Sequence, residues 1–270
     1  MEQATRIDQR THLSPTERVL LLLPLAASAF VGLFQFFLPQ LLAQVTGYSG
    51  NDVYVYQLSG AATFGYTVAL ALALRQGSWP AIRIVIIAFF TFGIASLYAC
   101  GTDIINALPK PTAYVVYVVL ALTVIFVTIT GTLLYTHRNV SKGTPDIANW
   151  VVWFIVIATV LATTFGLLPL LLPDAFTHLF TLSGKDVFIF RQAGAATLGY
   201  AVMGIFQLQS RNWQEIRWAT TMAGVFNGLS FIASIIALVT GGPLLLALLA
   251  TPASLGVTIA SIVAFVRQGK

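Results

Sequence analysis

Apolar runs of about 20 residues, broken by short polar stretches, organise the whole chain, and a helix of that length spans a bilayer core. Eight such runs are legible: Val19 to Leu38, Val53 to Leu74, Ala81 to Cys100, Thr112 to Tyr135, Asn149 to Leu172, Val187 to Leu208, Gln214 to Thr240, and a last one from the Gly241-Gly242-Pro243 turn to Val266. Ser14, Pro15 and Glu17 predict a capped start for the first helix, with the acid at the third helical position. Ala27-Ser28-Ala29 imitates a signal-peptidase site. The apolar run continues for about nine residues beyond it, which favours a retained helix. Pro252 predicts a kink rather than a break in the last helix, because neighbouring helices absorb the freed carbonyl.

The pattern occurs twice. Residues 49–66 read SGNDVYVYQLSGAATFGY and residues 183–200 read SGKDVFIFRQAGAATLGY, ten of eighteen positions being identical at an offset of 134. Pro39 falls on Pro173, Trp79 on Trp213, Ile82-Arg83 on Ile216-Arg217 and Ser96 on Ser230 in the same register. A match at fixed spacing through segments of different polarity indicates an internal duplication. The expected division is a tail over 1–18, a first four-helix repeat over 19–136, a linker over 137–148 and a second four-helix repeat over 149–270. Four helices per repeat is even, so both copies enter the membrane in one direction, as parallel repeats about a pseudo-twofold axis along its normal.

Composition agrees with an all-α polytopic integral membrane protein. Charged residues are 9% and hydrophobic residues 57%, where a soluble domain carries about 25% charged; mean hydropathy is +0.86. The net charge of +5 is scattered singly in loops, so nucleic-acid binding is not expected. A cytoplasmic N-terminus places Arg6, Arg10, Arg18, Arg75, Arg83, Arg138, Lys142, Arg211, Arg217, Arg267 and Lys270 inside and only Lys110, Lys185 and Arg191 outside. The positive-inside bias therefore predicts both termini cytoplasmic, and the plasma membrane is the expected location. Cys100 is the only cysteine, which excludes an intramolecular disulfide and a cysteine metal cluster.

Candidate chemistry concentrates in the duplicated stretch. Ser49 and Asp52, like Ser183 and Asp186, have capping-box spacing; a paired outer-surface cation or substrate site is the alternative. Tyr54 and Tyr56, matched by Phe188 and Phe190, fit an aromatic belt at headgroup depth. Gly60, Ala61 and Gly65, with Gly194, Ala195 and Gly199, form small-xxx-small faces for close helix packing. The positions kept in both copies point to every side of the helix, so the second and sixth spans are expected to be enclosed by protein. Thr63 and Thr197 fall roughly 16 Å in, near the midplane, where a small-ligand site at the repeat interface is the alternative to packing. The copies differ where Gln57-Leu58 becomes Arg191-Gln192. An intramembrane arginine marks a functional site by default; Asp186, Asp103 or an anion outside the chain are its candidate partners. Arg191, Gln192, Gln57, Thr63, Thr197 and Asn227 are the candidate ligand- or lipid-binding set.

No Asp, Glu or His falls mid-span, so no proton relay is expected, and His12, His137 and His178 lie outside the spans. HExxH, GxSxG and phosphate-loop motifs are absent, and no paired carboxylates or nucleophile–base set share a face. No catalysis, cofactor or metal is expected. Pro173, Gly184, Arg191, Gly194, Leu198-Gly199 and Arg211 resemble the pattern of small four-helix DoxX-like membrane families, so the chain is similar to two such modules in tandem. Gln57 departs from it in the first copy. The function expected is a non-catalytic scaffold or accessory subunit of a membrane assembly, in contact with lipids and with other membrane subunits or further copies of itself. The alternative is a transporter or lipid/small-molecule binder with its site between the repeats.

Overall fold

The computed structural model describes residues 12–109, 112–139 and 143–268. Arg6, Arg10, Lys110, Lys142 and Lys270, part of the charge bias, lie outside the described residues. Ten helices account for the described chain: α1 Pro15–Phe37, α2 Pro39–Thr46, α3 Val53–Gln76, α4 Trp79–Ala107, α5 Tyr114–Thr136, α6 Asn149–Leu171, α7 Pro173–Phe180, α8 Val187–Ser210, α9 Trp213–Thr240 and α10 Leu244–Gln268. Seven of the eight long helices are long and apolar enough to cross a membrane. The exception is α8, whose 24 residues include Arg191, Gln192, Gln207 and Gln209.

Local chemistry sets the boundaries. Ser14 caps α1 through its hydroxyl, which accepts from the Glu17 amide at 3.3 Å, while the Ser14 amide donates to the Glu17 carboxylate at 2.7 Å. Pro39 and Pro173 occupy first helical positions, so α1 and α6 end just before them and short α2 and α7 begin there. These two short helices lie within stretches that the sequence reads as loops. The first copy closes α2 and α3 with the left-handed glycines Gly47 and Gly77; at the matched positions the second copy uses Thr181 (φ 55°) and Arg211 (φ 51°). Pro252 sits inside a continuous α10.

The long helices form two rows, α5–α4–α8–α6 and α1–α3–α9–α10. Each row takes two helices from each half of the chain, so the halves at 19–136 and 149–270 interlock. Across the rows α3, α4, α8 and α9 make the centre, while the end pairs α1/α5 and α6/α10 touch only lightly.

Glycines set the row spacing. A Cβ at Gly60 would lie 2.6 Å from the Phe36 amide nitrogen, and one at Gly194 would lie 2.6 Å from the Gly166 carbonyl and 2.7 Å from the Leu170 nitrogen. At the centre, the Tyr66 hydroxyl donates to the Ala196 carbonyl at 2.8 Å and the Tyr200 hydroxyl to the Ala62 carbonyl at 2.7 Å. Each hydroxyl occupies the space a Cβ would take on the other half's glycine, 1.9 Å from one at Gly199 and 2.2 Å from one at Gly65. The two rings meet edge to face at 5.0 Å. Ala61 and Ala195 are fully buried in neighbouring clusters. Bare glycine therefore serves two purposes: close backbone approach and a socket for the opposite tyrosine.

Both ends of the bundle carry further crossed contacts. At one end Asp186 accepts from the Ser49 amide and hydroxyl, each at 2.9 Å, and Asp52 accepts from the Ser183 amide at 2.9 Å and from its hydroxyl. Neither aspartate caps its own helix by its side chain, so the capping spacing is used across the two halves instead. Tyr54, Tyr56, Phe188 and Phe190 are buried rather than arrayed as a lipid-facing belt. Tyr56 donates to Asp186 at 3.0 Å, and the Tyr54 and Ser234 hydroxyls are 2.7 Å apart. At the other end buried Glu215 pairs with Arg83 at 2.9 Å and also accepts from the Ser210 hydroxyl and the Gly143 amide.

Candidate functional site

A half-open cavity lies mostly within the second half, walled by α6, α8, α9 and α10 and bordered by Val55 and Leu58 of α3 and Phe176 of α7. It lies beside the thin α6/α10 contact and encloses about 150 Å³, the size of a cavity that takes one benzene ring. Phe154, Phe165, Tyr200 and Phe226 give it aromatic walls, and neither a carboxylate nor a basic side chain lines it. A charge brought here would lose its hydration without a counter-ion, so the cavity suits a neutral group.

Polar atoms line it sparsely. Thr197 and Asn227 reach it, but the Thr197 hydroxyl donates to the Ala193 carbonyl at 2.8 Å and the Asn227 amide nitrogen to the Ala223 carbonyl at 2.9 Å. The Asn227 side-chain oxygen makes no hydrogen bond among the described residues. Gln207 donates to Thr220 at 3.1 Å near one end of the cavity. The Ser230 hydroxyl is buried as well as unpartnered: the residue is 4% exposed, lines the cavity and has no partner for its oxygen. Pro169, also in the wall, lacks the N–H that would close the helix onto the Phe165 carbonyl.

The cavity has a residue-by-residue origin. Gly204, Ala223, Thr159 and Thr220 of the second half stand where the first has Leu70, Phe89, Leu25 and Ile86 at the offset of 134. Leu70, Ile86 and Phe89 belong to the buried core. Loss of side-chain volume at these positions opens the space.

The six expected ligand-binding residues do not form one site. Thr197 and Asn227 line the cavity. Thr63 is buried, its hydroxyl donating to the Ser59 carbonyl at 2.9 Å. Gln192 is buried between α8 and α4, accepting from Ser96 at 2.9 Å with its amide 3.8 Å from the Cys100 sulfur. Gln57 lines a separate cleft at the Asp52 end. Arg191 is half-buried, and among the described residues it makes no hydrogen bond or ion pair; its Nε is buried without a partner. Asp186 is taken by Ser49, Gly50 and Tyr56, and Asp103 accepts from Thr112, so neither expected partner reaches Arg191. Tyr48, between α2 and α3, stacks on Phe188 at 5.9 Å with its hydroxyl unpartnered; burial, then Asp103 and Asp186, push its phenol well above the ordinary range. Among the described residues no group of three His, Cys, Asp or Glu could hold a metal.

Ser230, Thr220, Gln207 and Thr159 are not singled out by sequence reasoning. The signal that finds them is the loss of bulk between copies, since a position that shrinks from Phe89 to Ala223 must be refilled or left open. Compared with protein families, characterised proteins and solved structures, the chain matches none.

Proposed function

We propose that this is a non-catalytic, multi-pass plasma-membrane protein of eight spans with both termini cytoplasmic, whose second repeat binds a neutral membrane amphiphile. The spans form two parallel four-helix repeats about a pseudo-twofold axis. The reciprocal Tyr66/Tyr200 and Asp52/Asp186 contacts support that arrangement. One observation carries the binding reading: an orphaned, buried Ser230 hydroxyl facing an uncharged aromatic cavity. A buried hydroxyl without a partner costs about 1–3 kcal/mol, which a ligand hydroxyl or carbonyl would recover. Because the space is ring-sized, the rest of the ligand stays in the bilayer, entering between α6 and α10. Rocking one repeat against the other would break the tyrosine sockets, the crossed aspartates and the Arg83–Glu215 pair together, so this reading is of a binder with lateral access rather than a rocking carrier.

The test is native mass spectrometry and lipid extraction of the wild type and Ala223→Phe, which restores the first copy's residue. The wild type is expected to carry one neutral amphiphile, and the folded variant to lack it. A ligand-free wild type, or the same occupancy in both, refutes the reading.

A second reading, a scaffold or accessory subunit, is supported by the polar side chains of the duplicated stretch, most of which are satisfied inside the bundle. It predicts other subunits co-purifying in fixed ratio under the same gentle extraction.

A further inference from the structure

The two crossed aspartates are matched in position but not in partners. Asp186 accepts four hydrogen bonds, from the Ser49 amide and hydroxyl, the Gly50 amide and the Tyr56 hydroxyl. Asp52 accepts two, both from Ser183. One missing donor has a plain cause in the sequence, because Phe190 stands where Tyr56 would be mirrored and has no hydroxyl. An ionised carboxylate offers about four acceptor sites, so Asp52 keeps unused capacity although it is only 8% exposed. Among the described residues it has no ion-pair partner. Burying a charge in this way is unfavourable unless something pairs with it.

Asp52 lines a cleft of about 610 Å³. Asn51, Gln57, Thr181 and the Thr240–Gly241 end of α9 line it too, and no lysine or arginine does. The C-terminal end of α9 brings the negative end of its dipole to the cleft. The Ile236 and Ala237 carbonyls already accept from Thr240, Gly241 and Gly242, while the Thr240 carbonyl makes no hydrogen bond among the described residues. Asn51 and Gln57 add amide oxygens. One carboxylate among neutral oxygens is too poor in charge for a tight divalent-metal cage, but it matches the three donors of an ammonium group. Phe180, Leu182 and Leu245, also in the lining, give an alkyl stem somewhere to lie.

We infer that this cleft is a second binding site, for an alkylammonium group held by Asp52 and the C-terminal carbonyls of α9. The site is independent of the neutral cavity, being formed by different residues at one end of the bundle. Its specificity is written in the copy difference: Arg191 occupies the position that matches Gln57, so a basic residue stands there in one half and is missing from the other. An ammonium ion is received only where the basic residue is missing. On the orientation proposed above, the cleft faces the outer leaflet, where either a lipid amine headgroup or a free amine could reach it.

The test is a thermal-unfolding titration of the full chain in phosphatidylcholine nanodiscs with n-hexylammonium chloride, hexyltrimethylammonium and hexanoate. n-Hexylammonium should raise the midpoint saturably, by roughly 3–5 °C at ten times Kd, and hexanoate should not. Gln57→Arg leaves the crossed aspartates intact and should abolish the shift. Asp52→Asn should also abolish it, while Ser183→Ala, which keeps the carboxylate, should retain it. Hexyltrimethylammonium, with no N–H to donate, should bind at least tenfold more weakly. No saturable shift in the wild type, or an unchanged shift in Gln57→Arg or Asp52→Asn, overturns the assignment. Native mass spectrometry from mixed phosphatidylethanolamine–phosphatidylcholine nanodiscs separates the sources. Phosphatidylethanolamine retained by wild type and lost in Gln57→Arg assigns the headgroup; equal retention of both lipids alongside hexylammonium binding assigns the free amine.

Discussion

The two halves share a frame and differ in what fills it. In the first, Leu70, Ile86 and Phe89 close the space beside α3 and α4, and Phe89 packs edge to face on Tyr66 at 4.7 Å. In the second, Gly204, Thr220 and Ala223 leave the matching space open, and Tyr200 keeps only Phe226, at 4.7 Å, the counterpart of the Phe92 that stacks on Tyr66 at 5.4 Å. The consequence reaches whole helices: 61% of the most apolar stretch of α4 is buried, against 33% of that of α9. The interlocked bundle allows this because the tyrosine sockets and their hydrogen bonds at the centre belong to both halves at once. One copy can lose core volume while the other holds the bundle.

The comparison can be broken first at its shared frame. Gly194→Ala drives a Cβ against two backbone atoms of α6 that cannot turn aside, so it should abolish the folded protein, read by monodispersity after detergent extraction. Phe89→Ala makes the first half resemble the second and should cost about 3–5 kcal/mol in unfolding free energy. If Phe89→Ala costs under about 1 kcal/mol, the solid packing of the first half is not what supports the bundle. The crossed aspartates give a finer contrast. Asp186→Ala strands four donors and Asp52→Ala two, so the first should be more destabilising by about 1–3 kcal/mol. The smallest effect concerns the helix ends, where Arg211→Gly supplies the first copy's residue at a positive φ and should stabilise by about 1 kcal/mol. Equal or lower thermal stability of that variant would show that the Arg211 Nε bond to the Leu208 carbonyl compensates for the backbone.

Much of the frame was legible because it rests on local or repeated signals. The Ser14–Glu17 cap, the long apolar runs and the enclosure of α3 and α8 follow from composition, spacing and the residues kept in both copies. The site was legible only in fragments. Thr197 and Asn227 reach the cavity, but Gln57, Thr63, Gln192 and Arg191 disperse to other environments, because a shared helix depth does not fix which neighbour a side chain faces. The capping pattern at Asp52 and Asp186 misled for a related reason: spacing within one strand of sequence cannot reveal that a donor from the other half lies closer.

The sequence by itself determined that this chain is a set of long apolar helices carrying one stretch matched at an offset of 134, since helix length, hydropathy and internal identity depend only on the order of residues. Only the tertiary structure decided that the copies interlock in two rows, that each tyrosine sits on the other half's glycine, and that lost bulk gathers into one cavity. Those features depend on which helix faces which, and that is set by the summed fit of backbone approaches and buried hydrogen bonds across the whole bundle.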